Sequence, residues 1–272
     1  MHTLRILALL GILLLPPLLR AETPLTLGVS EGTSGGLDHE RAIAKYGPLA
    51  EVIGTASKRK VQVVFAREFS SLEDGMRKGF FDFVLARPSD YPARGIRDFG
   101  YQFVASAKPD GQCLVVAGKD SPLKSLADAK GKRWVLPEQV SYMSKFCGAE
   151  LRDQGIDILK EQHQFVREQG AVVFYIDNGF SDVGAIASYS GPAKALAKTG
   201  HRVLHRSVAQ PYFPLIASKR ITTEQVTAIQ TQLRALPQSA QGREILKTIG
   251  IDAFDTESGE RLKQLLGWLE KK

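Results

Sequence analysis

Two cysteines, two tryptophans and three methionines are all that 272 residues contain of those types. The run C-x-x-C-H is absent, which excludes covalently attached haem of that kind. The histidines at 39, 163, 201 and 205 make no zinc pattern. His201 and His205 are four apart, but the segment between them reads as a strand, where such residues share a face yet sit far apart. Neither G-x-x-x-x-G-K-[ST] nor G-x-G-x-x-G occurs, so no nucleotide motif is present. Basic residues are scattered, with no run beyond Lys58-Arg59-Lys60, and nucleic acid is not expected as a partner. No Ser/His/Asp or Cys/His set is placed to support catalysis, and no cofactor is indicated. The chain also shows no low-complexity linker and no internal repeat at this level of reading. After residue 21, no stretch is long and apolar enough to cross a bilayer.

What is present begins with an address. Arg5 precedes an apolar run over 6–19 that is broken by Pro16 and Pro17, and Leu19-Arg20-Ala21 ends on a small residue. This is the pattern of a secretory signal peptide cleaved after Ala21, and it predicts an exported, periplasmic chain. No cysteine stands near the cleavage point, so a lipid anchor on cysteine is not expected. Removal of Arg5 and Arg20 takes the formal charge from +7 to +5, a mild balance that weakly favours anionic ligands. In an oxidising compartment Cys113 and Cys147 read as a disulfide, the alternative being two buried thiols.

Apolar strands at 25–29, 61–66 and 81–86 alternate with helical patterns at 43–53 and 70–78. A β-α-β-α-β order of this kind argues a parallel sheet covered on both faces. Ligands in such sheets sit beyond the carboxyl ends of the strands, here 30–34, 67–71 and 87–91. Segment 121–155 repeats the logic: a short helix at 125–129, a strand at 133–136 stopped by Pro137, and a polar turn opening a helix that runs to about 154. The first amides of a helix have no partner inside it and carry partial positive charge, so this junction can hold an anion. Ser141 could serve the ligand there, or simply cap its own helix. Further on, strands are expected at 102–107, 112–118, 182–187, 203–205 and 212–218, the last an edge or crossing strand because of Pro214. Helices are expected at 166–179, 193–198, 222–236, 240–249 and 259–270.

Several blocks together resemble the substrate-binding proteins of phosphate, phosphite and phosphonate ABC importers. They are LTLGVS at 25–30, YGPLAEVIG at 46–54, FDFVLARPSDY at 81–91, SPLKSLADAKGKRWVLPE at 121–138, SYMSKFCGAELRDQGI at 141–156 and DNGFSDVGAIA at 177–187. The resemblance covers nearly all of the chain after residue 21. It implies an α/β, two-lobed type II periplasmic binding protein, each lobe a mostly parallel sheet flanked by helices. The crossing hinge strands would be 112–118 and 212–219, lobe one 22–110 plus 213–272, and lobe two 111–212.

The resemblance also implies an anion site. Its tyrosine and helix-start hydroxyl fall on Tyr91 and Ser141, with Ser89 and Tyr142 adjacent. Gln169 stands where some phosphonate binders carry a histidine. Ser30, Arg87 and Tyr189 complete the expected ligand set. Phe213 and Ser188-Tyr189 stand where acids would receive the amine of an aminoalkylphosphonate. A compact oxyanion, or an anion with an apolar or aromatic part, therefore suits Arg87, Tyr91, Tyr189, Tyr212 and Phe213 better. Arg87 could instead brace Asp90, and Asp182 reads as a strand-start residue. The expected partners are a small anionic ligand and the membrane permease of an ABC importer, or a membrane sensor; the protein is expected to be a monomer and not an enzyme.

Overall fold

The computed structural model describes residues 23–33 and 36–271. The expected signal peptide at 1–21 lies outside the described residues, as does Ser34 of the loop at 30–34. The chain opens with β1 (Leu25–Ser30), α1 (His39–Ser57), β2 (Val61–Phe65), α2 (Phe69–Arg77), β3 (Phe83–Ala86), α3 (Asp90–Phe99) and β4 (Gln102–Gly111). It continues with β5 (Cys113–Ala117), β6 (Arg133–Pro137), α4 (Tyr142–Asp153), β7 (Gln162–Val166), α5 (Gln169–Asp177), β8 (Val183–Ala187), α6 (Gly191–Thr199) and β9 (Arg202–Arg206). It ends with β10 (Gln210–Ala217), α7 (Thr223–Ala235), α8 (Ala240–Ile249), β11 (Ala253–Asp255) and α9 (Gly259–Leu269).

These elements form two sheets, ordered β11-β4-β10-β3-β1-β2 and β7-β6-β8-β5-β9. In each, a parallel trio (β2-β1-β3 and β7-β6-β8) is joined by antiparallel strands that carry the chain between the sheets. The result is a two-lobed α/β protein. The chain passes between the lobes twice. The first passage is Gly111-Gln112; the second is 207–209, where Gln112 Nε2 donates to the Ser207 carbonyl at 2.7 Å and the Cys113 amide to Ser207 Oγ at 2.8 Å. A third link comes from α9, which packs against both α3 and α4. Its Leu262, Leu265 and Leu266 share one core with Trp134 and Phe146 of the second sheet's lobe. Trp268 Nε1 reaches Asp153 of α4 at 2.7 Å.

Local chemistry explains most of the elements. Asp38, Ser141, Ser190, Thr222 and Ser239 each accept a first-turn amide as N-caps, and Thr222 with Gln225 closes a capping box. Three elements escape the hydrophobic pattern. Strand β7 is polar (QHQFV) because it is a sheet edge, so the helix expected over 166–179 starts only at Gln169. Helix α3 carries Pro92, tolerated because a first-turn amide needs no intrahelical partner. Strand β11 is three residues long. The helix expected at 125–129 is a single 3₁₀ turn, Ala127–Ala129. Strand β10 lies inside its sheet, between β4 and β3, rather than at an edge. Pro214 fits there because the pairing with β4 shifts register between Tyr212 and Leu215, and Phe213 takes a left-handed φ of 51°.

A repeat does exist, at one turn. Gly79-Phe80-Phe81-Asp82 leads into β3 and Gly179-Phe180-Ser181-Asp182 leads into β8. Both glycines adopt positive φ, 66° and 68°. Both aspartates accept a backbone amide from the neighbouring strand: Thr26 N at 2.8 Å for Asp82, Arg133 N at 3.0 Å for Asp182.

Cys113 of β5 and Cys147 of α4 form a disulfide, with Cα atoms 5.4 Å apart and a sequence separation of 34. Chain entropy for a loop of this size predicts a stabilisation of about 4 kcal/mol at 25 °C. Denaturant unfolding with and without a reductant should show a loss of that order; a loss under about 1 kcal/mol would contradict the loop-closure account.

Candidate anion-binding site between the lobes

The carboxyl ends of β1 and β3 in one lobe face the start of α4 and α5 in the other. Glu31, Arg87, Ser141, Tyr142, Met143, Gln169 and Tyr189 line a narrow slot there, with free volume of about 10 Å³, room for about one water. The slot shares Glu31, Gly32, Thr33 and Phe69 with a chamber of about 270 Å³, whose walls include Arg67, Glu68, Glu138, Val140, Arg167 and Glu168. A larger cavity of about 620 Å³ shares only Tyr189 with the slot. It lies against Gly250 and Ile251 at the carboxyl end of α8, and Lys194, Arg243 and Lys247 line it beside Asp110 and Asp252. The slot differs in offering the start of α4, whose oriented amides suit an anion.

Helix α4 supplies the donors. Ser141 Oγ accepts the Ser144 amide at 3.2 Å, so the residue caps its own helix while also lining the slot. Ser144 Oγ is itself donated to the Pro137 carbonyl, which fixes the helix start to the end of β6. The amides of Tyr142 and Met143 have no acceptor among the described residues. Two free amides at the positive end of a helix dipole attract an anion.

Opposite them lies a buried charge cluster. Glu31 is 4% exposed. It accepts Lys45 Nζ at 2.7 Å, the Tyr46 hydroxyl and Arg87 Nε. Burial pushes its carboxyl up, but the Arg87 guanidinium and the Lys45 ammonium outweigh burial and hold it below the ordinary 4.5. Arg87, 7% exposed, also donates to the Ile249 carbonyl at 2.9 Å and lies 4.5 Å from the Phe213 ring centroid and 5.4 Å from that of Tyr212. Burial works against its charge and Glu31 restores it, so Arg87 stays ionised. The Tyr189 ring stacks on Tyr212 at 3.9 Å, and burial raises both the Tyr189 and the Tyr142 hydroxyl.

Of the residues expected from sequence, Arg87, Ser141, Tyr142, Gln169 and Tyr189 line the slot. Gln169, 2% exposed, spends its carbonyl oxygen on the Ala187 amide at 2.6 Å and so braces the end of β8. Ser30, Ser89 and Tyr91 stand behind the wall. Ser30 Oγ accepts the Gly32 amide, Ser89 lies against the Tyr142 hydroxyl, and Tyr91 stacks on Phe69 at 5.5 Å. The alternative pairing of Arg87 with Asp90 does not occur. Arg87 turns to Glu31, while Asp90 takes Arg94 and Lys145. Reading by sequence missed Glu31, Arg67 and Arg167. One signal was available: Arg67-Glu68 and Arg167-Glu168 recur at the same place in each lobe, just before α2 and α5.

Known structures share this architecture. A protein of Xanthomonas citri bound to ATP matches with a TM-score of 0.72 at 16% identity, over 92% of this chain and 98% of that one. PhnD1 of Prochlorococcus marinus in complex with methylphosphonate matches with a TM-score of 0.71 at 12% identity, over 90% and 97%. A binding protein component of an ABC phosphonate transporter from Pseudomonas aeruginosa matches with a TM-score of 0.67 at 15% identity, over 91% and 86%. At these identities the likeness is one of fold, that of the type II periplasmic binding proteins. Residues 36–261 match the family model for the periplasmic substrate-binding protein of phosphonate ABC transporters. The chain belongs to that family of transport proteins, which bind a small ligand for a membrane permease and are not enzymes. Among the described residues no helix is long and apolar enough to cross a membrane.

The Glu31 cluster makes a pH-dependent contribution. A carboxyl whose folded pKa lies below its unfolded value stabilises above the unfolded pKa and loses that effect as pH falls through the folded one. Glu31→Gln should therefore cost about 3 kcal/mol at pH 7, because Arg87 is left buried without its counter-ion. The gap to the wild type should narrow on acidification below about pH 4.5. Unfolding at pH 7, 5 and 3 checks this, and a gap that stays constant would contradict the assignment.

Proposed function

We propose that the protein captures a small phosphonate-class anion by closing its two lobes, and presents it to the permease of an ABC importer. The observation that carries this reading is the pair of amides at Tyr142 and Met143, without acceptors among the described residues, at a narrow slot between the lobes. The anionic head sits on those amides and the Ser141 hydroxyl, with Arg87, Gln169 and Tyr189 completing the wall. Because the slot has room for about one water, entry requires the lobes to part, as in hinged clamps. The moving bodies are 22–110 with 213–258, and 111–212, except that Gln210 and Tyr212 pair with β4 and travel with the first, and that α9, expected with the first, bridges both through its contacts to α3 and α4. The family's place in the periplasm agrees with export by residues 1–21. The protein acts as a monomer.

The organic part of the ligand occupies the adjoining chamber. Arg67 and Arg167 enter it from opposite lobes, beside Glu68, Glu138 and Glu168. Its charges of both signs favour a polar tail over the purely apolar or aromatic one that Tyr189, Tyr212 and Phe213 suggested, since those rings are engaged with Arg87. The methylphosphonate held by the Prochlorococcus relative is a ligand of this head-group class.

Calorimetry with phosphate, phosphite, methylphosphonate, sulfonates and carboxylates tests the proposal. Phosphonates should bind most tightly, and Ser141→Gly, which keeps an adequate N-cap, should weaken them about tenfold by removing one charge-assisted hydrogen bond. Arg167→Ala should weaken phosphonates with polar tails while leaving phosphite unchanged. Binding of sulfonates or carboxylates alone would overturn the head-group assignment.

A further inference from the structure

Asp90 begins α3 in the first lobe and is 0% exposed. Its Oδ2 accepts two cations. Arg94 Nη2, one turn along the same helix, lies at 3.0 Å. Lys145 Nζ, from α4 in the other lobe, lies at 3.2 Å. Its Oδ1 has no hydrogen-bond partner. Both cations also lie over the Tyr91 ring, at 5.0 Å and 6.0 Å from its centroid. Lys145 stands one turn after the slot-facing residues Tyr142 and Met143, so whatever holds Lys145 also holds the anion-binding end of α4.

A carboxylate removed from water is tolerated only when its charge is paired. Here one of its partners crosses between the lobes. At Asp90 burial outweighs the two cations and holds the carboxyl above its ordinary range, so the shut clamp depends on keeping both. Parting the lobes removes Lys145 and admits water to Asp90, whereas Arg94 stays in place on its own helix. The Asp90–Lys145 attraction therefore exists only when the clamp is shut.

We propose that Asp90 is a positioning residue for ligand capture: through Lys145 it draws α4 onto the first lobe and sets how much of the ligand-free protein is closed. The proposal rests on the clamp reading above. Apparent affinity scales with the fraction of protein already competent to bind, so this pair tunes affinity without touching the ligand.

The test uses Asp90→Asn, Lys145→Met, their double variant, and Arg94→Met as the control within one lobe. Small-angle X-ray scattering of the ligand-free proteins reads lobe separation. Asp90→Asn and Lys145→Met should both enlarge the radius of gyration relative to wild type, and Arg94→Met should not. Calorimetry with methylphosphonate and phosphite should show each of the two variants about tenfold weaker, with no further loss in the double variant because both remove the same pair. Unchanged scattering in both variants would overturn the proposal. So would losses that multiply in the double variant, or an Arg94→Met effect as large as that of Lys145→Met. Lys145 is a third exposed, so its variant carries the test if Asp90→Asn fails to fold. If wild type binds neither probe, the phosphonate reading falls, and the scattering comparison still decides the latch.

Discussion

A single buried carboxylate at the end of β1 organises the first lobe's face of the crevice. Glu31 gathers Lys45 and Tyr46 from α1 and Arg87 from the end of β3. Charges taken out of water persist only in such company. Arg87 in turn faces Phe213 and Tyr212 of β10 and the carbonyl at the end of α8. One ion pair thus fixes the strand ends, the first helix and the start of the returning strand relative to each other. The start of α4 in the opposite lobe faces this braced wall across the slot.

The opposite wall is made differently. Its donors are backbone amides at the start of α4, held by the Ser144 contact to β6 and by the disulfide from α4 to β5. Backbone donors need no side-chain ordering and carry the helix dipole with them. The lobes therefore contribute unlike halves: a neutralised charge cluster on one side, oriented dipoles on the other. Between them, Tyr189 of the second lobe stacks on Tyr212 of the first beside the short crossings at Gly111-Gln112 and 207–209. The Tyr189–Tyr212 stack, helix α9 and the Asp90–Lys145 pair all bridge the two lobes.

Much of this was legible from local pattern. The strand–turn–helix at 133–154 was legible as an element junction, because an N-cap serine after a strand end is a local signature. The polar edge strand β7 and the three-residue β11 were not legible, since neither carries apolar periodicity of its own; α3 is amphipathic, but Pro92 and Gly95 break the helical pattern in sequence. Pro214 left an edge and a crossing strand open; β10 is the strand that follows the second crossing, and the register shift beside Pro214 lets it lie inside the sheet. Among residues lining the slot, Ser141 was singled out by its place at a helix start and Tyr142 through the family resemblance. Glu31 was not, because nothing local distinguishes a buried paired glutamate from a solvated one in a glycine-rich loop.

The amino-acid order alone determined the family, most of the alternation of strands and helices and the caps at Ser141 and Thr222, while it left the two cysteines open between a disulfide and two buried thiols, which the structure decided. The elements and caps depend on neighbours in sequence. Tertiary structure decided which charges meet. Arg87 is 56 residues from Glu31, and Lys145 is 55 residues from Asp90. Their partnerships follow from the packing of lobes, and the energy of a buried charge depends on distances of a few ångströms that no local pattern encodes.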